Sequence, residues 1–94
     1  VKYYLVTYDL NTRGQNYEDL LNKIRGCAEW ARLSESSYAV GTLQTPQQLF
    51  DDLNNCLDSN DQLYIVSITK PYTGVGTEDV NKWLESNLPN TSLW

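Results

Sequence analysis

Apolar and polar positions along this chain fall into short blocks whose spacing changes from one to the next. The first, Tyr3-Tyr-Leu-Val-Thr-Tyr-Asp9, is aromatic and β-branched and closes on a carboxylate. Tyr4, Val6 and Tyr8 alternate with Tyr3 and Leu5, so both faces are apolar, which predicts a central strand over 3–9. Tyr17, Leu20, Leu21, Ile24 and Ala28 then recur at helical spacing. They mark one face of a helix that Asn16 is placed to cap, with Glu18 and Asp19 favourable in its first turn and Gly26 weakening its end.

Residues 30–33 and 37–43 read as two strands joined through Ser34-Glu-Ser-Ser37. Thr45-Pro-Gln-Gln48 is a strong helix start, with Thr as cap, Pro at the first position and Gln placed to close a capping box. Leu49, Leu53, Cys56 and Leu57 form the stripe of that helix, and Asp58-Ser-Asn-Asp61 ends it. A further strand, apolar on both faces, is expected over 63–69. After the loop 70–76, Thr77 caps a third helix over about 78–88, lined by Val80, Trp83, Leu84 and Leu88 and stopped by Pro89. Residues 90–94 read as a loose tail.

The order β-α-β-β-α-β-α begins with the split β-α-β arrangement of ferredoxin-like folds. The expected class is therefore α+β, with a four-stranded antiparallel sheet, an extra C-terminal helix and a single domain over 1–94. Right-handed crossovers place the first and third strands in the middle. One end of the sheet then gathers Asp9, Asn11, Ser34, Glu35, Ser36, Ser37, Asp61 and the start of the first helix. Both faces of the first and last strands are apolar, yet the two main helices cover one face only. Some of Tyr4, Val6, Tyr8, Tyr64, Val66 and Ile68, or their alternates, are left over, which predicts a homodimer.

Composition sharpens this picture in three places. Three Trp and seven Tyr in 94 residues suit interfaces, because each joins a large apolar area to a polar tip. The net charge is −5, and the bases Lys2, Arg13, Lys23, Arg25, Arg32, Lys70 and Lys82 form no run. Binding to nucleic acid is expected to be weak or absent, since that affinity comes from neutralising several phosphates together. Finally, His is absent and Cys27 and Cys56 are the only thiols, which excludes zinc sites of the Cys/His kind. Both cysteines fall on predicted helices and read as reduced residues of the core or its boundary, with a disulfide as the alternative. No signal peptide or apolar run of membrane-spanning length occurs, so no membrane partner is expected and the expected location is cytoplasmic.

The pieces Tyr8-Asp-Leu-Asn11, Gly14-Gln-Asn-Tyr17, Trp30, Leu33-Ser-Glu-Ser-Ser-Tyr38, Asp58-Ser-Asn-Asp61 and Trp83-Leu84, in this order over about 3–88, resemble the SinR-like branch of the small CRISPR-associated adaptation proteins (the Cas-two family). The resemblance implies a ferredoxin-like homodimer. It also implies that Asp9 matches the acid proposed in that family to bind a divalent metal, Mg²⁺ or Mn²⁺, at the dimer axis for nuclease chemistry.

Asp9 is thus the candidate catalytic and metal-binding residue, since a hard cation needs oxygen ligands and two symmetry-related carboxylates could share one ion that activates water. Its structural alternative is to accept backbone N–H bonds in the strand-to-helix turn. Asp51, Asp52, Asp58 and Asp61 read as a cation site or as a solvated acidic face. Thr73-Gly-Val-Gly76 lacks the Lys-Ser/Thr continuation of a phosphate loop. Two functions follow: a non-catalytic homodimeric binding or regulatory module in a defence or phage context, with a possible protein partner, and a divalent-metal-dependent endonuclease using Asp9. The acidity and the single candidate carboxylate favour the first.

Overall fold

The structure is a computed structural model that describes residues 1–11 and 14–91, apart from the side chain of Gln15. Its elements are β1 (Lys2–Asp9), α1 (Gln15–Arg25), β2 (Glu29–Ser34), β3 (Ser37–Thr42), α2 (Pro46–Asn54), β4 (Gln62–Ser67) and α3 (Glu78–Asn87). The strands form one sheet of order β2-β3-β1-β4, with every neighbouring pair antiparallel. This is the ferredoxin-like α+β arrangement with an added helix, and β1 and β3 lie in the middle as the crossover rule requires.

Register sorts the side chains onto two faces. Tyr4 pairs with Val40, Val6 with Tyr38 and Ile65, and Tyr8 with Leu63. These residues face Leu20, Leu21 and Ile24 of α1 and Leu49 and Leu53 of α2, forming the main core. Tyr4, Val6 and Tyr8 therefore belong to the covered face and are not left over, because β1 presents its even-numbered residues to both helices.

The opposite face carries Tyr3, Leu5 and Thr7 of β1, Ala39 and Gly41 of β3, Glu29 and Ala31 of β2, and Tyr64 and Val66 of β4. Ala39, Gly41 and Ala31 make a shelf of small residues, and α3 packs over the β2 side of it. A methyl group on Gly41 would meet the Tyr3 ring at 2.7 Å, so the absence of a side chain there is what lets the ring lie flat across β3. The Tyr3 hydroxyl donates to Glu29 at 2.7 Å, and its ring meets Trp83 edge-on at a centroid distance of 6.0 Å.

Several expected boundaries move. The cap of α1 is Gly14, not Asn16, and no side chain caps it. The Gly14 carbonyl accepts from the amides of Tyr17 and Glu18, which draws Asn16 inside the first turn. Gly26 ends α1 after Arg25, so Ala28 lies beyond the helix and is exposed. Cys27 and Cys56 sit just past the ends of α1 and α2 in their closing turns, and both thiols are free.

The other two caps are as expected. Thr45 and Gln48 close a full capping box, and the Thr77 hydroxyl accepts from the Val80 amide. Trp83 packs on the second face of the sheet, edge-on to Tyr3. No residue within α3 is fully buried, and Trp83 is half-buried there. The expected loose tail is partly tied down. Lys70 donates its amide to the Pro89 carbonyl at 2.7 Å and bridges Asn90, and the Thr91 hydroxyl donates to the Lys70 carbonyl. Residues 92–94 lie outside the described residues, as does Arg13.

Candidate functional site

The end of the sheet where β1 finishes, the β2–β3 turn closes and β4 begins holds the polar residues that topology was expected to gather. It is organised as two hydrogen-bonded turns with Asp9 beside them. In the first turn, Asp61 accepts from the backbone amides of Asp58 at 2.8 Å and Asn11 at 2.9 Å, while the Asn11 side chain donates to the Asn60 carbonyl at 2.7 Å. These amides, Asp58 first and Asn11 second, hold the Asp61 carboxyl below the usual Asp range, since they favour its charged form.

In the second turn, the hydroxyls of Ser34 and Ser37 share a hydrogen bond at 2.6 Å, and Ser34 Oγ also accepts the Ser36 amide. Tyr8 ties this turn to β1. Its amide donates to the Ser36 carbonyl and its hydroxyl to the Glu35 carbonyl, both at 3.0 Å. Burial, reinforced by the nearby Tyr17 and Tyr38, pushes the Tyr8 phenol up to about 12.

Asp9 ends β1 opposite Gln62 and is exposed. Among the described residues its carboxylate has no hydrogen-bond or ion-pair partner. The turn-closing role considered for Asp9 is filled by Asp61, whose carboxylate links 11 to 58–61. Asp9 is therefore a solvated acid, free to meet a cation or a partner, but a lone one: no group of three or more acidic or thiol residues suited to a metal occurs among the described residues.

The other acidic candidates are dispersed among separate partners. Asp52 pairs with Lys23 at 3.6 Å, Asp51 accepts from Gln47 at 2.7 Å, and Asp61 closes its turn. The arrangement matches solvated and turn-closing acids. The loop 70–76 is clasped to α3 by Glu85, which accepts from Lys70 Nζ and the Tyr72 hydroxyl, each at 3.0 Å. Lys70 first, then Tyr72, hold the Glu85 carboxyl below its ordinary range.

Two further features come only from the fold. The first is a strip on the second face of the sheet. α3 lies toward β2, which leaves Tyr64 at 66% and Val66 at 49% exposure beside half-buried Leu5 and Thr7. The second is a group of cations and rings at the opposite edge, where Arg25, Trp30, Arg32 and Tyr38 meet. Sequence order spreads those two arginines over seven positions, and only the return of β2 after α1 brings them together.

No helix among the described residues is long and apolar enough to cross a membrane. No protein-family model and no curated protein matches the chain. Among solved structures it is similar to a hypothetical protein, TT1823, from Thermus thermophilus, with a TM-score of 0.65 and 20% identity over 81% of this chain and 92% of that one. At that identity the likeness establishes a shared fold.

Proposed function

We propose that this chain is a non-catalytic homodimeric module that binds another macromolecule, related to the small CRISPR-associated adaptation proteins through their SinR-like branch and acting in the cytoplasm in a defence or phage context. The observation that carries the reading is the strip of Leu5, Thr7, Tyr64 and Val66 that α3 leaves open. An open antiparallel sheet face is ordinarily polar toward water. Here a tyrosine and a valine of β4 stand exposed, and the β1 residues beside them are only half covered. A second copy set against this strip would bury the apolar surface that one copy exposes, and a chain of this size gains from that burial. The test is the oligomeric state of the wild type and of a Tyr64→Glu, Val66→Glu double variant, with dimer expected for the first and monomer for the second.

A second reading keeps one specific observation in its favour: Asp9 is exposed at the end of β1 and has no partner among the described residues. With one carboxylate from each chain, a shared Mg²⁺ or Mn²⁺ would polarise water for attack on a phosphodiester, and the remaining ligand positions would be filled by water or substrate oxygens. This arrangement is complete only if the dimer brings both copies of Asp9 together. The discriminating assay adds each cation to the pure protein with single- and double-stranded substrates. Cleavage that Asp9→Asn abolishes would establish the nuclease. Intact substrates support the binding module.

A further inference from the structure

β2 is the terminal strand of the sheet, with no described strand on its outer side. Around it the fold assembles cations that have no acidic partners among the described residues. Arg25, at the end of α1, donates Nε and Nη2 to the Tyr38 hydroxyl at 3.1 and 2.8 Å. Its guanidinium carbon stands 5.8 Å from the ring centroids of both Trp30 and Tyr38. Arg32 lies 5.5 Å from the Tyr38 ring and is held by the carbonyls of Ser34 and Glu35 and the Tyr17 hydroxyl. The ion pairs among the described residues all use lysines, so neither guanidinium there meets a carboxylate. In a chain of net charge −5, these two guanidiniums gather on one face of β2, while Glu29 of the same strand turns to the other face and accepts from Tyr3. Trp30 lies within it at 42% exposure, its ring 5.8 Å from Tyr38.

We propose that the β2 edge binds an extended acidic peptide as an added strand, with a peptide carboxylate on Arg25 and an apolar side chain on Trp30. An unpaired strand edge supplies main-chain donors and acceptors to an incoming strand, and side-chain pockets set its specificity. Arg25 spends Nε and Nη2 on Tyr38, which leaves Nη1 and the second Nη2 hydrogen for a charge-assisted bond to a carboxylate. Arg32 is spent on local carbonyls and acts as a positioning residue for the Tyr38 ring.

Trp30 and Arg32 are two apart and share a face, as their pairing with Val40 and Tyr38 requires. Arg25 reaches that same face, 5.8 Å from the Trp30 ring and bonded to the Tyr38 hydroxyl, so the matching peptide turns its acid and its apolar residue to one face of a strand, two positions apart. A shift of register between Arg32 and Ser34 limits regular pairing to Glu29–Arg32, so the side chains must supply selectivity that so short a strand cannot. Charge count favours a peptide over a nucleic-acid strand. A polyanion offers a phosphate at every nucleotide and needs several cations in a row, whereas this edge offers Arg25 alone, with Arg32 tied to local carbonyls. The proposal names the partner class of the binding module argued above. It uses the β2 edge rather than the open strip beside β4, so it stands whether or not the chain dimerises.

The test selects displayed random octapeptides on the wild-type protein, then titrates the enriched peptide by fluorescence anisotropy. Wild type, Arg25→Gln, Arg25→Lys and Trp30→Ala are compared, each checked for folding by thermal melt, with oligothymidine as competitor and sedimentation run in parallel. Expected are peptides with an acid two positions from an apolar residue, binding that salt weakens, and a loss of roughly tenfold or more in Arg25→Gln with partial retention in Arg25→Lys. Amide shifts should map to Glu29–Arg32. Selection of no acidic class, or affinity unchanged by Arg25→Gln, would overturn the proposal. Tighter binding of oligothymidine at physiological salt would assign the edge to nucleic acid instead. Peptide binding by a monomer would remove the dimer and leave this site standing.

Discussion

Asp9 and Asp61 stand at the same end of the sheet and differ in everything around the carboxylate. Asp61 is fixed by two backbone amides, and Asp9 meets solvent. The two therefore separate under mutation. Asp9→Asn should leave the thermal midpoint unchanged, whereas Asp61→Ala should lower it by releasing the amides of Asn11 and Asp58. Differential scanning fluorimetry of both variants checks this. The depressed Asp61 pKa gives stability that is present above the ordinary Asp range of about 3.9 and lost as pH falls through the lower folded value. That contribution is modest at a group only partly shielded from solvent. Tyr8 gives the opposite limb. Its phenol is raised to about 12, so the stability tied to its neutral form is complete below the unfolded Tyr value of about 10 and disappears as pH rises from there through the folded value. Tyr3, Tyr4 and Tyr72 are raised as well, so ultraviolet titration should show several phenols ionising late, and Tyr8→Phe should lower the amplitude of the last step by one tyrosine.

At the scale of elements, the capping box, the Thr77 cap and the stripes were legible because they are local. Thr45-Pro-Gln-Gln48 names its own helix start, and Thr77 does the same. The start of α1 was not legible, because Gly14 and Asn16 are both acceptable caps and only the path of the chain leaving β1 decides between them. The role of α3 was also hidden. Its stripe of Val80, Trp83 and Leu84 looks like any core-facing helix, and nothing in it says that the shelf it meets is made of Ala31, Ala39 and Gly41. That shelf makes two predictions. Trp83→Ala should cost about 1–3 kcal/mol, less than for a fully buried indole, because Trp83 is only half covered. Gly41→Ala should cost about 1–3 kcal/mol, although it adds apolar area, because the new methyl displaces the Tyr3 ring from between Glu29 and Trp83. Urea denaturation of each variant gives both numbers, and an unchanged Gly41→Ala midpoint would contradict the close seating of Tyr3.

For the whole molecule, the order of elements was enough to place the strands, since an antiparallel sheet with right-handed crossovers leaves few alternatives. The same topology located the polar end with Asp9, Asn11, the Ser34–Ser37 turn and Asp61. Sequence order could not show which sheet face is left open, because that depends on where α3 docks, nor that Arg25 and Arg32 converge beside Trp30. Both are long-range consequences of the fold, and both bear on partners rather than on chemistry within one chain. The open strip at Leu5, Thr7, Tyr64 and Val66 is the feature on which the proposed function stands. Sedimentation equilibrium at micromolar concentration tests it most directly. The account predicts a dimer for the wild type and a folded monomer for Tyr64→Glu, Val66→Glu. A wild type that sediments only as monomer, or a double variant that dimerises as before, would contradict it.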